Sequence, residues 1–208
     1  MSTPETIFEN LINRYPVLRE CAEEISRAYI ALKACFIAGG KLLLCGNGGS
    51  AADCEHIAGE LMKGFLLKRP VPQAFRESPE LDGEGELLQR ALPAISLTCH
   101  AALSTAFAND VAADMVFAQQ TYALGQPGDV LLGISTSGNA ANVCRALRVA
   151  NAAGLVTIGL TGKNGGKMNA LCKHVIHAPT EETYLIQELH LPIYHALCAM
   201  LEADFFAE

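Results

Sequence analysis

Lys41–His56 reads KLLLCGNGGSAADCEH: the apolar run Leu42–Cys45 leads directly into Gly46-Asn47-Gly48-Gly49-Ser50, and a helical segment follows from Ala51. A continuous apolar run of this kind suits a strand buried on both faces. Glycines at its end let backbone N–H groups approach a ligand, and a helix N-terminus adds partial positive charge, so the turn suits an anion. It is neither G-x-G-x-x-G nor a loop closed by Lys-Ser/Thr, and so carries no dinucleotide or Walker fingerprint. Taken alone, a tight structural turn explains it nearly as well.

Four further apolar runs follow, Ala94–Leu97, Val130–Ile134, Leu155–Leu160 and His174–Ala178, separated by small-residue turns and helical stretches. Buried strands alternating with helices predict an α/β fold, a parallel sheet covered on both faces. Right-handed crossovers then gather the loops that follow the strands along one edge, where ligands of such sheets bind. The third run ends in Ser135-Thr136-Ser137-Gly138-Asn139 before another helix. One hydroxyl there would serve as an N-cap; three in a row exceed capping needs and can wrap a phosphate without any Lys or Arg. Thr161-Gly162-Lys163-Asn164-Gly165-Gly166 follows the fourth run and either closes the site or turns the chain.

Residues 1–40 read as a helical extension ahead of the domain, 41–208. Ser2 or Thr3 can cap its first helix; Ile7, Leu11 and Ile12 recur at helical spacing, Pro16 interrupts, and a longer helix ends at Gly39-Gly40. It packs either on its own domain or on the same helix of another subunit, the second being preferred. Residues 73–91, QAFRESPELDGEGELLQRA, interrupt the alternation as a mobile lid or a surface insertion, the insertion being the preferred reading.

Composition narrows the function. A net charge of −7 argues against nucleic-acid binding, which needs a basic surface. No apolar run approaches the roughly 20 residues of a membrane span. The N-terminus MSTPETIFENL lacks the basic and apolar segments of a signal peptide, so a cytoplasmic protein is expected. The eight cysteines are scattered without a C-x-x-C pair and read as reduced core thiols.

Two helical segments carry polar clusters. His56 and Glu60 stand four apart on one helix face, either as an ordinary solvated pair or in joint reach of a substrate or ion. The last helix carries Gln187, Glu188, His190 and His195 inside the otherwise apolar LIQELHLPIYHALC, where such groups are costly without partners.

CGNGGSAADCEH, GDVLLGISTSGNAANV and LTGKNGGKM together resemble the sugar isomerase (SIS) domain family, and within it the phosphoheptose isomerases, over about residues 35 to 205. The resemblance implies a five-stranded, flavodoxin-like parallel sheet and a homotetramer with sites between subunits. It implies aldose–ketose isomerisation of a phosphorylated sugar, sedoheptulose 7-phosphate above all, through an enediol. Ser135, Thr136 and Ser137 would anchor the phosphate; Asn47, Gly48, Gly49 and Ser50 would meet the sugar, with Asn109, Asp110 and Gln187 beside it. Asp110 serves equally well as a helix cap. His56, Glu60, Gln187 and His195 match a quartet that can bind zinc, one ion per site, with Glu60 as base and His195 as acid. Gln187 and His195 lie about 12 Å apart along a straight helix, so either Pro192 distorts it or the two serve from different subunits. The chain departs from the family at Ala140, usually Ser, and at Tyr184-Leu185, usually Asp-Arg. A noncatalytic SIS protein that binds a sugar phosphate and docks a partner, such as a replication initiator, is the alternative; His195 argues for the enzyme.

Overall fold

The computed structural model describes residues 3–207. Five strands, β1 (Leu42–Gly46), β2 (Ala94–Ser96), β3 (Val130–Ser135), β4 (Val156–Gly162) and β5 (His174–Ala178), form one parallel sheet in the order β2-β1-β3-β4-β5. The helices are α1 (Pro4–Arg14), α2 (Ala22–Ile37), α3 (Gly49–Met62), α4 (Gln73–Arg76), α5 (Ala101–Phe107), α6 (Val116–Leu124), α7 (Ala141–Ala152), α8 (Met168–Leu171) and α9 (Thr183–Phe206). The five expected strands are present; the last keeps its expected bounds and the other four end within one or two residues of theirs.

The sheet's two faces follow from the side-chain alternation of a strand. Leu42 and Leu44 join the core under α1, α2, α3 and α9, with Ile25, Leu32, Ile57, Ile193 and Leu197. Leu43 and Cys45 join the opposite core, with Phe117, Leu147 and Ala150 of α6 and α7. Every residue of β1 and of β3 is buried, which is why these strands read as unbroken apolar runs.

The N-terminal helices pack on their own domain. Leu11, Ile12, Leu18, Ile25, Leu32 and Phe36 are buried in the first core, α1 lies against α9, and α2 lies against β5 and α9. The role preferred from sequence placed these apolar residues against another subunit; the sheet and α9 bury them instead. Ile30 and Ile37 of α2 remain exposed. Thr3 caps α1 by accepting from the Thr6 N–H; Ser2, the other cap expected, lies outside the described residues.

Residues 73–91 form α4 and two short 3₁₀ turns, tied at their base by a bridge between Pro70 and Gln89 and by the Gly64 N–H donating to Gln89 Oε1. Gly85 packs directly against the Arg76 backbone. This segment is a folded excursion of the surface. All eight cysteines are free thiols, six of them buried, with Cys99 exposed. Among the described residues no helix is long and apolar enough to cross a membrane.

Candidate active site

The sheet order reverses direction between β1 and β3, so the loops leaving their C-terminal ends diverge and open a crevice. One wall is the loop Gly46–Ser50, where Gly48 takes a positive φ of 56° ahead of α3. The other is Ser135-Thr136-Ser137-Gly138-Asn139, with Ser135 buried at the end of β3 and Ser137 exposed. Gly138 has φ 63°, and a Cβ there would stand 1.9 Å from the Gly165 carbonyl oxygen, so only glycine lets the two loops touch. Asn139 fastens the same contact: its amide nitrogen donates to the Ser137 carbonyl, and its Oδ1 accepts from the Lys167 N–H. The Thr161–Gly166 turn therefore backs the hydroxyl loop.

Asn47 is engaged with a residue that sequence reasoning passed over. Its amide and that of Asn142, near the start of α7, exchange two hydrogen bonds of 2.9 and 2.8 Å across the crevice. Asn47 thus spans the two loops. Ser50 is buried in the first turn of α3, and Gly48 and Gly49 are exposed at the loop. Gln187 of α9 lies against Gly49, its Nε2 2.8 Å from where a Cβ would sit.

The parallel course of α3 and α9 brings His56, Glu60 and His195 together about two turns beyond Gly49. Glu60 Oε1 lies 3.1 Å from His56 Nε2 and 3.2 Å from His195 Nε2. Glu60 is buried while His56 is exposed and His195 half-buried, so the carboxylate stands at the floor of a small polar bowl. Burial raises the Glu60 pKa above the usual carboxylate range, opposed mainly by His56. Burial, and then repulsion by His56, lowers that of His195. Both shifts favour the uncharged forms of the two facing groups.

Gln187 is not part of this bowl. Seven residues of α3, about 10 Å of rise, separate Gly49 from His56, and α9 continues through Pro192 without folding Gln187 back. Of the four expected ligands, one chain assembles three.

The trio fits a metal ion. Its ligand atoms all lie within 4.8 Å of one another. Glu60 Oε2 is buried without a hydrogen-bond partner, and His195 Nε2, though 3.2 Å from Glu60 Oε1, makes no hydrogen bond, so the donor atoms suit a ligand. The tautomer of His56 is also suitable: Tyr194 donates its hydroxyl proton to Asp53 Oδ1 and so accepts from His56 Nδ1, leaving Nε2 with a lone pair toward Glu60. Neither Asp53 nor Tyr194 was singled out from sequence. The available signal was Asp53 standing one turn before His56, and Tyr194 adjoining His195.

Asn109 and Asp110 bond to one another on an exposed stretch of π-helix, Ala108–Ala112. Asp110 makes no cap to α6, whose N-cap is Met115. A buried ion pair, also missed, lies beneath the trio. Arg69 Nε donates to Glu202 Oε1 at 2.7 Å, with both side chains almost wholly enclosed. Arg69 before a proline reads as a surface residue, and only the fold brings it inside.

Comparison with known proteins places this geometry. The SIS domain family model matches residues 9–78 and 78–162, beginning inside the segment set apart above as an extension. The phosphoheptose isomerase of Maridesulfovibrio salexigens is 45% identical over 168 residues, 81% of this chain and 72% of the relative. That of Desulfovibrio desulfuricans is 42% identical over 187 residues, 90% of this chain and 80% of the relative. Among solved structures, the phosphoheptose isomerase of Neisseria gonorrhoeae superposes with a TM-score of 0.75 at 34% identity, covering 94% of this chain and 95% of that one. Identity at this level, sustained along both partners, shows common descent as well as a shared fold: the chain belongs to the phosphoheptose isomerase group of the SIS-domain family.

Proposed function

We propose that this chain is an aldose–ketose isomerase that interconverts sedoheptulose 7-phosphate and D-glycero-D-manno-heptose 7-phosphate through an enediol. The observation that carries the reading is the meeting of His56, Glu60 and His195, two of whose buried atoms lack a partner. Membership of the phosphoheptose isomerases supports the substrate, and the continuity of that match favours the enzyme over a partner-docking module.

Glu60 takes a proton from C1 of the ketose, and the electron pair passes through C1–C2 to the carbonyl oxygen. His195 supplies the proton that oxygen needs, giving the enediol. Return of a proton to C2 and loss of the O1 proton leave the C1 aldehyde. Ser135, Thr136 and Ser137 hold the phosphate, while Asn47, Ser50 and the exposed amides at Gly48 and Gly49 face the sugar. Gln187 serves the substrate at the glycine loop, with Asn109 and Asp110 at the rim.

One zinc ion per site would be held by His56, Glu60 and His195 and would supply Lewis acidity toward the substrate, with Glu60 and His195 moving protons in the part of the cycle in which they do not ligate it. A ligand role for Gln187 would call for a second subunit, and the homotetramer is the assembly proposed for it. A phosphorylated sugar as substrate supports work in the cytoplasm.

The test is incubation of the metal-analysed protein with sedoheptulose 7-phosphate, following the aldose by NMR, beside Glu60→Gln and His195→Ala. Turnover by the parent and its loss in both variants is expected. A parent that binds the sugar phosphate saturably without turning it over would overturn the isomerase.

A further inference from the structure

Arg69 and Glu202 do more than fill space. Arg69 Nη1 donates to the Leu61 carbonyl at 2.8 Å and Nη2 to the Glu60 carbonyl at 3.1 Å, while Nε holds Glu202. Those two carbonyls belong to the last turn of α3, where a helix leaves its acceptors without intrahelical partners, and the Leu61 carbonyl also accepts from the Leu92 N–H at 3.0 Å. From the other side, Glu202 Oε1 and Oε2 accept from the Phe65 and Leu66 N–H groups at 2.8 and 2.7 Å, just past the end of α3. The Arg69 guanidinium also stacks on Phe206, 4.5 Å from the ring centroid.

Glu202 therefore joins α9 to the segment that follows Glu60, and Arg69, itself in that segment, ties it back to the last turn of α3. Glu202 stands seven residues beyond His195, two turns along the same helix. The strut thus couples the end of α3 to the helix bearing the other half of the acid–base pair.

A buried ion pair is poor evidence for stability, because a well-packed apolar pair often serves as well. What a guanidinium with five fixed donors supplies is geometry, held on several acceptors at once. Alignment of reacting groups is sensitive to shifts well under an ångström, with about 1 Å costing on the order of a hundredfold in rate.

We propose that Arg69 and Glu202 are positioning residues for Glu60. They fix the last turn of α3 against α9 so that the carboxylate meets His56 and His195 in working alignment. This rests on the isomerase reading above, and one of its tests does not.

The first variant is the double replacement Arg69→Met/Glu202→Leu, which removes both charges together and keeps an apolar filling. Its affinity for Zn²⁺, measured by competition with a chromophoric chelator, should fall at least tenfold with the fold intact by circular dichroism. At saturating zinc, kcat per occupied site should fall roughly 10- to 100-fold with KM changed less than about threefold. The second variant, Arg69→Lys, keeps the charge but cannot reach Glu202 and both carbonyls together. It should show the same two losses in smaller measure, and it supplies the answer if the double variant does not fold. Folded variants with parental zinc affinity and parental kcat would overturn the proposal. If the parent protein fails to isomerise the sugar phosphate, the functional reading falls, and the zinc measurement still decides the positioning role.

Discussion

Glu60 carries a conflict between folding and chemistry. Burial disfavours its charged form, whereas the proposed role as base requires the ionised carboxylate. Its folded pKa lies above the ordinary value near 4.5. The stability linked to its protonation is therefore fully present below that value and lost as pH rises through the raised one. At pH 7.5 the metal-free protein bears this cost. Glu60→Gln should then raise the melting temperature of the metal-free protein by about a few degrees, while turnover falls on the order of a thousandfold. Calorimetry of the stripped protein and the NMR assay check the two halves, and a lowered melting temperature would contradict the electrostatic account. Tyr194 makes a second residue-level test. Tyr194→Phe removes the hydroxyl between Asp53 and His56, and zinc affinity should fall about tenfold by chelator competition.

Elements decide how these residues meet. The hydroxyl loop after β3 rests on Gly138, whose positive φ and contact with the Gly165 carbonyl both exclude a side chain. Gly138→Ala should cost roughly 3 kcal/mol or more in a denaturant melt and raise KM for the sugar phosphate, because the loop must move. At this scale much was legible beforehand. The five apolar runs marked the strands because parallel strands bury both faces, and the loops after β1 and β3 stood out because glycines and hydroxyls replaced apolar residues abruptly. What stayed hidden depended on how helices lie beside one another. That α3 and α9 run parallel puts Gln187 beside Gly49 and His195 beside Glu60, and no spacing within either helix states this. Arg69 and Glu202 were invisible for the same reason: each is an ordinary charged residue until α9 covers it. The destination of α1 and α2 was misjudged because an amphipathic helix does not declare which apolar surface it will cover.

At the scale of the whole molecule, one response to pH runs through His190, which α9 carries into the interior against the Thr161 carbonyl. Burial drives its pKa down to about 4, although the hydrogen bond to Thr161 opposes the shift. The unfolded chain takes up that proton near 6.5, so the linked stability is complete above pH 6.5 and is lost as pH falls toward about 4. The span corresponds to about 3 kcal/mol. Urea midpoints between pH 7.5 and 4.5 should decline accordingly, and His190→Gln, which does not titrate, should flatten that decline. A profile unchanged by the substitution would assign the acid sensitivity to other groups.

The paired amides of Asn47 and Asn142 bear on how a ligand enters at all. Two neutral hydrogen bonds open to water are each worth about 1 kcal/mol net, so the pair parts spontaneously in roughly a few per cent of molecules at any instant. The contact between the two loops is thus one that thermal energy alone can part. It carries no charge that would compete with an incoming phosphate, and its opening exchanges protein contacts for solvent without disturbing either core. The tie between the two loops is therefore weak beside the buried cores that frame it.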